Sequence, residues 1–247
     1  SGPARGILTL NANGSFTYTP TAGTFGADSF VYQSNDGILN SANTTVNLMV
    51  NVGNNLDLAL LDGLTGFHTS GDPLNPKFRS VSSAGDLNGD GYDDLILGAQ
   101  DFSNATGGDA YVVFGHAGGF ALNLDLTTLN GANGFKISGA VAGDQLGSAV
   151  SSAGDINGDG YDDIIVGAWQ ATGNAAFSGS SYVIFGHAGG FADIDLSTPL
   201  NGTNGFKISG VGMVASLGNS VSSAGDVNGD GYDDIIVGAY QATGGAA

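Results

Sequence analysis

The stretch Asp86-Leu87-Asn88-Gly89-Asp90-Gly91-Tyr92-Asp93-Asp94 occurs three times, returning with one conservative change at Asp155–Asp163 and at Asp226–Asp234. Oxygen-bearing side chains stand at positions 1, 3, 5 and 9, with glycine at position 6. In a tight loop alternate residues point inward, so Asp86, Asn88 and Asp90 are expected to converge on one point. The same holds for Asp155, Asn157 and Asp159, and for Asp226, Asn228 and Asp230. Position 7 (Tyr92, Tyr161, Tyr232) offers its backbone carbonyl, and position 9 (Asp94, Asp163, Asp234) closes the shell with both carboxylate oxygens. The glycine permits the sharp bend between the halves. An all-oxygen shell of this kind suits Ca2+, with one ion expected per loop. Mg2+ prefers stricter octahedral shells with several waters, and Zn2+ would want Cys or His, which the loops lack. Asn-Gly and Asp-Gly also make turns without any metal. Repetition of the same oxygen positions in three copies is what favours the cation.

The loop is similar to an EF-hand at its start and departs from it at its end. An EF-hand closes with Glu at position 12 between two helices. Here the closing acid comes at position 9, and the flanks, Val81-Ser82-Ser83-Ala84-Gly85 and Leu95-Ile96-Leu97-Gly98-Ala99, read as strands. The later copies keep that frame with Ile164-Ile165-Val166 and Ile235-Ile236-Val237. Each loop is therefore expected at the tip of a β-hairpin, with the cation pinning the two strands together.

Composition points the same way. Among 247 residues there are 5 Lys plus Arg and 23 acids, giving a formal charge of −18. Every acid is aspartate, and twelve of them lie in the three loops. Three bound Ca2+ ions would bring the charge to −12. So acidic a surface argues against nucleic acid and anionic membranes as partners. With 44 glycines and almost no Lys, Arg or Glu, strands and turns must dominate. The chain has no cysteine, so metal clips would take the place of disulfides. No run of eighteen apolar residues is present, so no helical membrane insertion is expected. Ser1-Gly2-Pro3 does not read as a natural start, and the chain is taken as a piece of a longer or processed protein.

Residues 1–53 read as a separate all-β unit. Ile7-Leu8-Thr9-Leu10, Phe16-Thr17-Tyr18-Thr19-Pro20, Asp28-Ser29-Phe30-Val31-Tyr32 and Thr45–Val50 alternate with period two, with turns at Asn13-Gly14 and Asp36-Gly37. About four strands make half of an Ig-like sandwich. The pattern Gly6-x-Leu8, Asn13-Gly14-Ser15-Phe16-x-Tyr18-x-Pro20, Phe25-Gly26-x-Asp28-x-Phe30-x-Tyr32 and Asp36-Gly37 resembles the C-terminal half of bacterial cadherin-like or Ig-like tandem repeats. That resemblance implies a structural spacer of a large secreted adhesin. Phe16, Tyr18, Phe30 and Tyr32 are read as core and cross-strand pairs.

From residue 54 the chain repeats, in units 54–122, 123–192 and a truncated 193–247. The loops recur 69 and 71 residues apart. Gly66-Phe67-His68-Thr69-Ser70 returns as Gly134-Phe135-Lys136-Ile137-Ser138 and again as Gly205-Phe206-Lys207-Ile208-Ser209. Tyr111-Val112-Val113-Phe114-Gly115-His116 returns as Tyr182-Val183-Ile184-Phe185-Gly186-His187. A period near 70 with four strands per unit points to propeller blades or a related β array. Gly147-Ser148-Ala149-Val150, the Asp155 loop, Ile165-Val166-Gly167-Ala168 and Tyr182-Val183-Ile184-Phe185-Gly186 resemble the FG-GAP repeat of integrin α-chain propellers and bacterial surface proteins. The resemblance implies a β-propeller whose loop aspartates bind calcium. Family propellers usually close with seven blades, and only two repeats are complete here.

Other residues read more plainly. His116 and His187 are assigned to turn packing, and His68 has no histidine counterpart, Lys136 and Lys207 taking its position. Gln100, Trp169 and Tyr240 stand near matching strand ends and are read as packed there, with a ligand-binding surface as the alternative. Asp93, Asp162 and Asp233, at loop position 8, point away from the metal and could cap backbone groups or meet a neighbour. Asn13, Asn43, Asn104 and Asn201 head N-x-Ser/Thr sequons and are possible glycosylation sites. No nucleophile–base–acid set and no phosphate-binding loop is present, so no enzyme is expected. The leading expectation is a calcium-stabilised extracellular structural or adhesion module at the cell surface. Two alternatives are a head-to-tail filament built by strand or blade complementation, and a propeller that binds a carbohydrate or accompanies a catalytic domain.

Overall fold

The computed structural model describes residues 2–11, 15–21, 24, 26–34, 39–50, 61, 66–70 and 78–242. The turns at Asn13-Gly14 and Asp36-Gly37, Phe25, and the sequon residue Asn13 lie outside the described residues. The chain divides into two compact units, Ser1–Thr69 with Gly118–Leu124, and Ser70–Ala117 with Asp125–Ala247.

The first unit carries β1 (Gly6–Leu10) antiparallel to β2 (Phe16–Pro20), and β3 (Gly26–Tyr32) antiparallel to β4 (Thr44–Val50). Alternation puts Phe30 inside, 1% exposed, with Phe16 edge-on at 5.1 Å and Tyr32 at 6.4 Å. Asp28 points inward beside it and is fully occupied. It accepts hydrogen bonds from the amides of Ala4, Arg5 and Ser29 and from the Tyr18 hydroxyl. Burial works against its charge, but those four donors hold its carboxyl down at about 2. The unit also holds all but the last residue of β5 (His68–Ser70) and of β9 (Asn123–Asp125), which pair with each other.

The second unit is a row of blades. The first blade is β6 (Phe78–Gly85), β7 (Asp94–Ala99), β8 (Asp109–Val113) and β10 (Gly134–Ser138), each antiparallel to the next. The second repeats it with β11 (Leu146–Gly154), β12 (Asp163–Ala168), β13 (Ser180–Ile184) and β15 (Gly205–Ser209). Between them in sequence, β14 (Ile194–Asp195) returns to add in parallel to β10. The third blade shows two strands, β16 (Leu217–Gly225) and β17 (Asp234–Ala239). No α-helix occurs among the described residues, and no sheet there closes on itself. The fourth strand of each of the first two blades is the Gly-Phe-Lys-Ile-Ser segment near the start of the next sequence unit, so the blades run out of phase with repeats cut at 123 and 193.

Stacking explains the apolar runs. The second blade has a blade on each face, with Ile164 and Val166 turned to the first and Ile165 to the third, so Ile164-Ile165-Val166 needs no polar face. One core joins the first two blades through Ile96, Val112, Phe135, Leu146, Ile164 and Val166. A second joins the second blade to the third through Ile165 and Val183 against Val221 and Val237. Glycines let the blades approach. A Cβ on Gly98 would stand 2.1 Å from the Gly147 carbonyl, and one on Gly167 2.0 Å from that of Gly218.

Candidate metal-binding loops

Each nonapeptide joins the first two strands of a blade, so the hairpin-tip placement holds for all three. The loops are held by their own side chains. In the first, Asp86 accepts from the amides of Asp90 and Gly91, Asn88 from that of Asp90, and Asp90 from that of Tyr92. The second repeats this ladder with Asp155, Asn157 and Asp159. The third does so with Asp226, Asn228 and Asp230. These amides fix the carboxylates, and in the second and third loops Asp155 Oδ1 and Asp226 Oδ1 each accept a further amide, from Gly158 and Gly229. The two glycines at positions 4 and 6 carry positive φ in every copy, for example 73° at Gly89 and 88° at Gly91, which is why both are glycine.

Position 9 does more than its spacing suggests. Asp94 is fully buried, and its two oxygens accept from the Leu87 amide at 3.0 Å and the Gly115 amide at 2.8 Å. Asp163 does the same with Ile156 and Gly186. The carboxylate thus ties the loop to the Phe-Gly-His turn at the end of the third strand. Gly115 and Gly186 are required there, since a Cβ would meet the Asp93 carbonyl at 2.4 Å or the Asp162 carbonyl at 2.2 Å. In the third blade Asp234 accepts from Val227.

Position 8 clamps loop to loop. Asp162 Oδ2 accepts from the amide of Asp86 at 2.8 Å, and Asp233 Oδ2 from that of Asp155 at 3.0 Å. The amides of Asp162 and Asp233 in turn donate to the carbonyls of Asp86 and Asp155. The tyrosine of one loop lies over the position-4 glycine of the loop before it. A Cβ on Gly89 would meet the Tyr161 ring at 2.3 Å, and one on Gly158 the Tyr232 ring at 2.4 Å. Of the two roles the sequence left open for these aspartates, both are filled at once.

Electrostatics supply the test of fit for a cation. Burial pushes Asp94 and Asp163 up from 3.8 to about 6, and their two backbone bonds only partly offset it. The neighbouring charges that act on them are Asp90 and Asp86, and Asp159 and Asp155, all of which push further in the same direction. Asp226, in the exposed third loop, is held low by the amide of Gly231 and its neighbours. The loops therefore gather negative charge that no cationic side chain among the described residues offsets, and their donors are all oxygen, which fits Ca2+. Among the described residues, no three Asp, Glu, His or Cys side chains stand close enough to enclose an ion by themselves. The shell expected from the sequence also draws on Asn and on a backbone carbonyl.

The remaining candidates are placed as follows. Asn43, Asn104 and Asn201 are exposed, and Asn104 sits at φ 56° with its Oδ1 accepting from Gln145 Nε2. His187 stacks on Phe191 at 3.9 Å, and His116 Nδ1 lies 3.0 Å from the Ala117 carbonyl, in line with turn packing. Gln100 is buried and accepts from Arg79. The packing of Phe191 against both Phe114 and Phe135 is not foreseen from sequence. Its only trace there is the repeated His-Ala-Gly-Gly-Phe at 116–120 and 187–191.

Comparison with known proteins agrees with this geometry. The bacterial Ig domain model matches residues 1–49, and the FG-GAP repeat model matches 78–113, 146–184 and 217–247, one match per blade. Integrin alpha-5 of Xenopus laevis is 32% identical over 174 residues, which cover 70% of this chain and 16% of that protein. Phosphatidylinositol-glycan-specific phospholipase D of Bos taurus is 31% identical over 245 residues, 96% of this chain and 27% of that protein. The mouse phospholipase is 34% identical over 170 residues, 67% of this chain and 18% of its own length. The chain thus spans well under a third of each of these relatives. With three matched blades carrying the same loop, the chain belongs to the FG-GAP repeat family, behind an N-terminal bacterial Ig domain.

Proposed function

We propose that this chain is a non-catalytic, calcium-stabilised extracellular module serving a structural or adhesive role. The observation that carries the reading is the charge balance of the loops, where buried Asp94 and Asp163 meet further aspartates and no cationic side chain among the described residues acts on them. Asp86, Asn88, Asp90, Tyr92 and Asp94 would hold the first ion. Asp155, Asn157, Asp159, Tyr161 and Asp163 would hold the second, and Asp226, Asn228, Asp230, Tyr232 and Asp234 the third. When bound, the ion supplies positive charge that cancels the repulsion among each set of carboxylates, and its binding free energy adds to folding. The protein's own part is to present the loops. The amide ladder orients positions 1, 3 and 5, while Asp162 and Asp233 lock successive loops together. Integrin relatives favour adhesion at a cell surface. The test is calorimetry: EDTA should lower the melting temperature and added Ca2+ should restore it, with about three ions taken up in a titration. Melting that ignores both additions would overturn the calcium reading.

The phospholipase match supports a second reading, in which the same module accompanies a catalytic domain elsewhere in a longer protein. Hydrolysis assays on the longest natural form of the chain separate the two. Activity that is present with a further domain and absent from these residues alone would favour the second.

A further inference from the structure

Successive nonapeptides are joined by residues that stand between ligand positions. In the second loop Asp162, at position 8, lies between Tyr161 and Asp163, both candidates to hold the second ion. Its side chain serves the first loop. Asp162 Oδ2 accepts from the Asp86 amide at 2.8 Å, and the Asp162 amide donates to the Asp86 carbonyl at 3.3 Å. The Tyr161 ring lies over Gly89, where a Cβ would meet it at 2.3 Å. Both backbone groups of Asp86, position 1 of the first loop, are therefore gripped by the second. Asp233 grips Asp155 in the same way, at 3.0 and 3.2 Å.

A second route runs beside the first. Asp163 Oδ1 accepts from the Gly186 amide at 2.8 Å, and the next residue, His187, donates its amide to the Leu87 carbonyl at 3.0 Å. A Cβ on Gly186 would stand 2.2 Å from the Asp162 carbonyl and 2.8 Å from that of Leu87, so this turn is seated on both loops at once. Two adjacent residues of the second loop, Asp162 and Asp163, thus hold two adjacent residues of the first, Asp86 and Leu87. Asp86 is also the hub of its own loop, since its two oxygens accept from the amides of Asp90 and Gly91. A change in how the second loop is ordered reaches positions 1, 5 and 6 of the first.

Resting on the calcium reading, we infer that the three loops take up their ions cooperatively, with Asp162 and Asp233 as positioning residues for the loop before their own. Ordering Tyr161, Asp162 and Asp163 in the second loop presents them to Asp86 and Leu87 in the arrangement that holds those residues. Less ordering is then left for the first loop to undergo, and the effect is reciprocal. Repulsion between bound cations acts in the opposite direction. Uptake steeper than independent binding therefore reports the junctions and not the charge.

The test is a Ca2+ titration of the full chain labelled with 15N, following the amides of Gly91, Gly160 and Gly231, one in each loop. In the unaltered protein the three curves should rise together, with a Hill coefficient above one. Asp162→Ala should weaken uptake at Gly91 about fivefold or more, the size expected of a coupling between sites. Asp162→Asn loses the same charge but keeps an acceptor oxygen, and should stay within about twofold of the unaltered protein. Asp159→Ala, which removes position 5 of the second loop, should weaken uptake at Gly91 in the unaltered background and less so beside Asp162→Ala. Three independent one-site curves, or equal effects of Asp162→Ala and Asp162→Asn at Gly91, would overturn the coupling and leave the calcium reading standing. No uptake in any loop would overturn both.

Discussion

A single aspartate at loop position 8 shows how much one residue can be asked to do. Asp162 caps the Asp86 amide across two blades, whereas Asp93, its equivalent in the first loop, is exposed and has no such bond among the described residues. Replacing Asp162 by Ala should therefore cost about 1–2 kcal/mol in chemical denaturation, while Asp93→Ala should stay within about 0.5 kcal/mol. Equal effects would show that the clamp contributes nothing. Position 9 gives a prediction with a definite sign. Burial first, then Asp90 and Asp86, raise Asp94 from 3.8 to about 6, and Asp163 behaves likewise. Between those values the folded metal-free protein holds more protons than the unfolded chain. The stability owed to these two groups is present in full below 3.8 and is lost as pH rises through about 6. Metal-free protein should thus melt higher at pH 5 than at pH 7, and Ca2+ should flatten or reverse that trend. Melting of the metal-free form that rises steadily from pH 5 to 7 would contradict it.

At the scale of elements, what keeps the blades together is the absence of side chains at chosen places. Gly98 and Gly167 lie in strands with ordinary φ, so an alanine there is not strained by its backbone. Its methyl would instead strike a carbonyl of the next blade, at 2.1 and 2.0 Å. Gly238 occupies the same position in the third blade, but there the nearest atom is the movable Ser220 hydroxyl at 2.2 Å. Gly167→Ala should cost about 1–3 kcal/mol and Gly238→Ala distinctly less, measured side by side in urea. This level also marks how far the sequence could be read. The hairpin tips were legible because four oxygen positions and a glycine repeat in register, and the strands around them because Leu-Ile-Leu and Ile-Ile-Val runs flank each tip. The blade boundaries were not. A repeat of about 70 residues has no intrinsic first residue, and only the pairing of β8 with β10 reveals that Gly134–Ser138 completes the sheet before it. The tie from Asp94 to Gly115 was hidden for a similar reason, since 21 residues separate them and neither type is unusual where it stands.

Across the whole molecule, the nonapeptides all fall in one of the two compact units, and the other is held by Phe30 and the Asp28 network. Calorimetry should resolve two transitions, of which chelation moves only the one belonging to the blades. Asp28→Ala should lower the other and leave the calcium-sensitive one in place. Chelation that shifts both equally would refute this division. The joins between successive blades have a consequence of their own. Asp162 meets Asp86 as Asp233 meets Asp155, and Tyr161 covers Gly89 as Tyr232 covers Gly158. A gene that gained or lost one whole unit by unequal crossing-over would therefore rebuild the same junction with the same partners. Array length can drift over generations while every seam stays chemically alike.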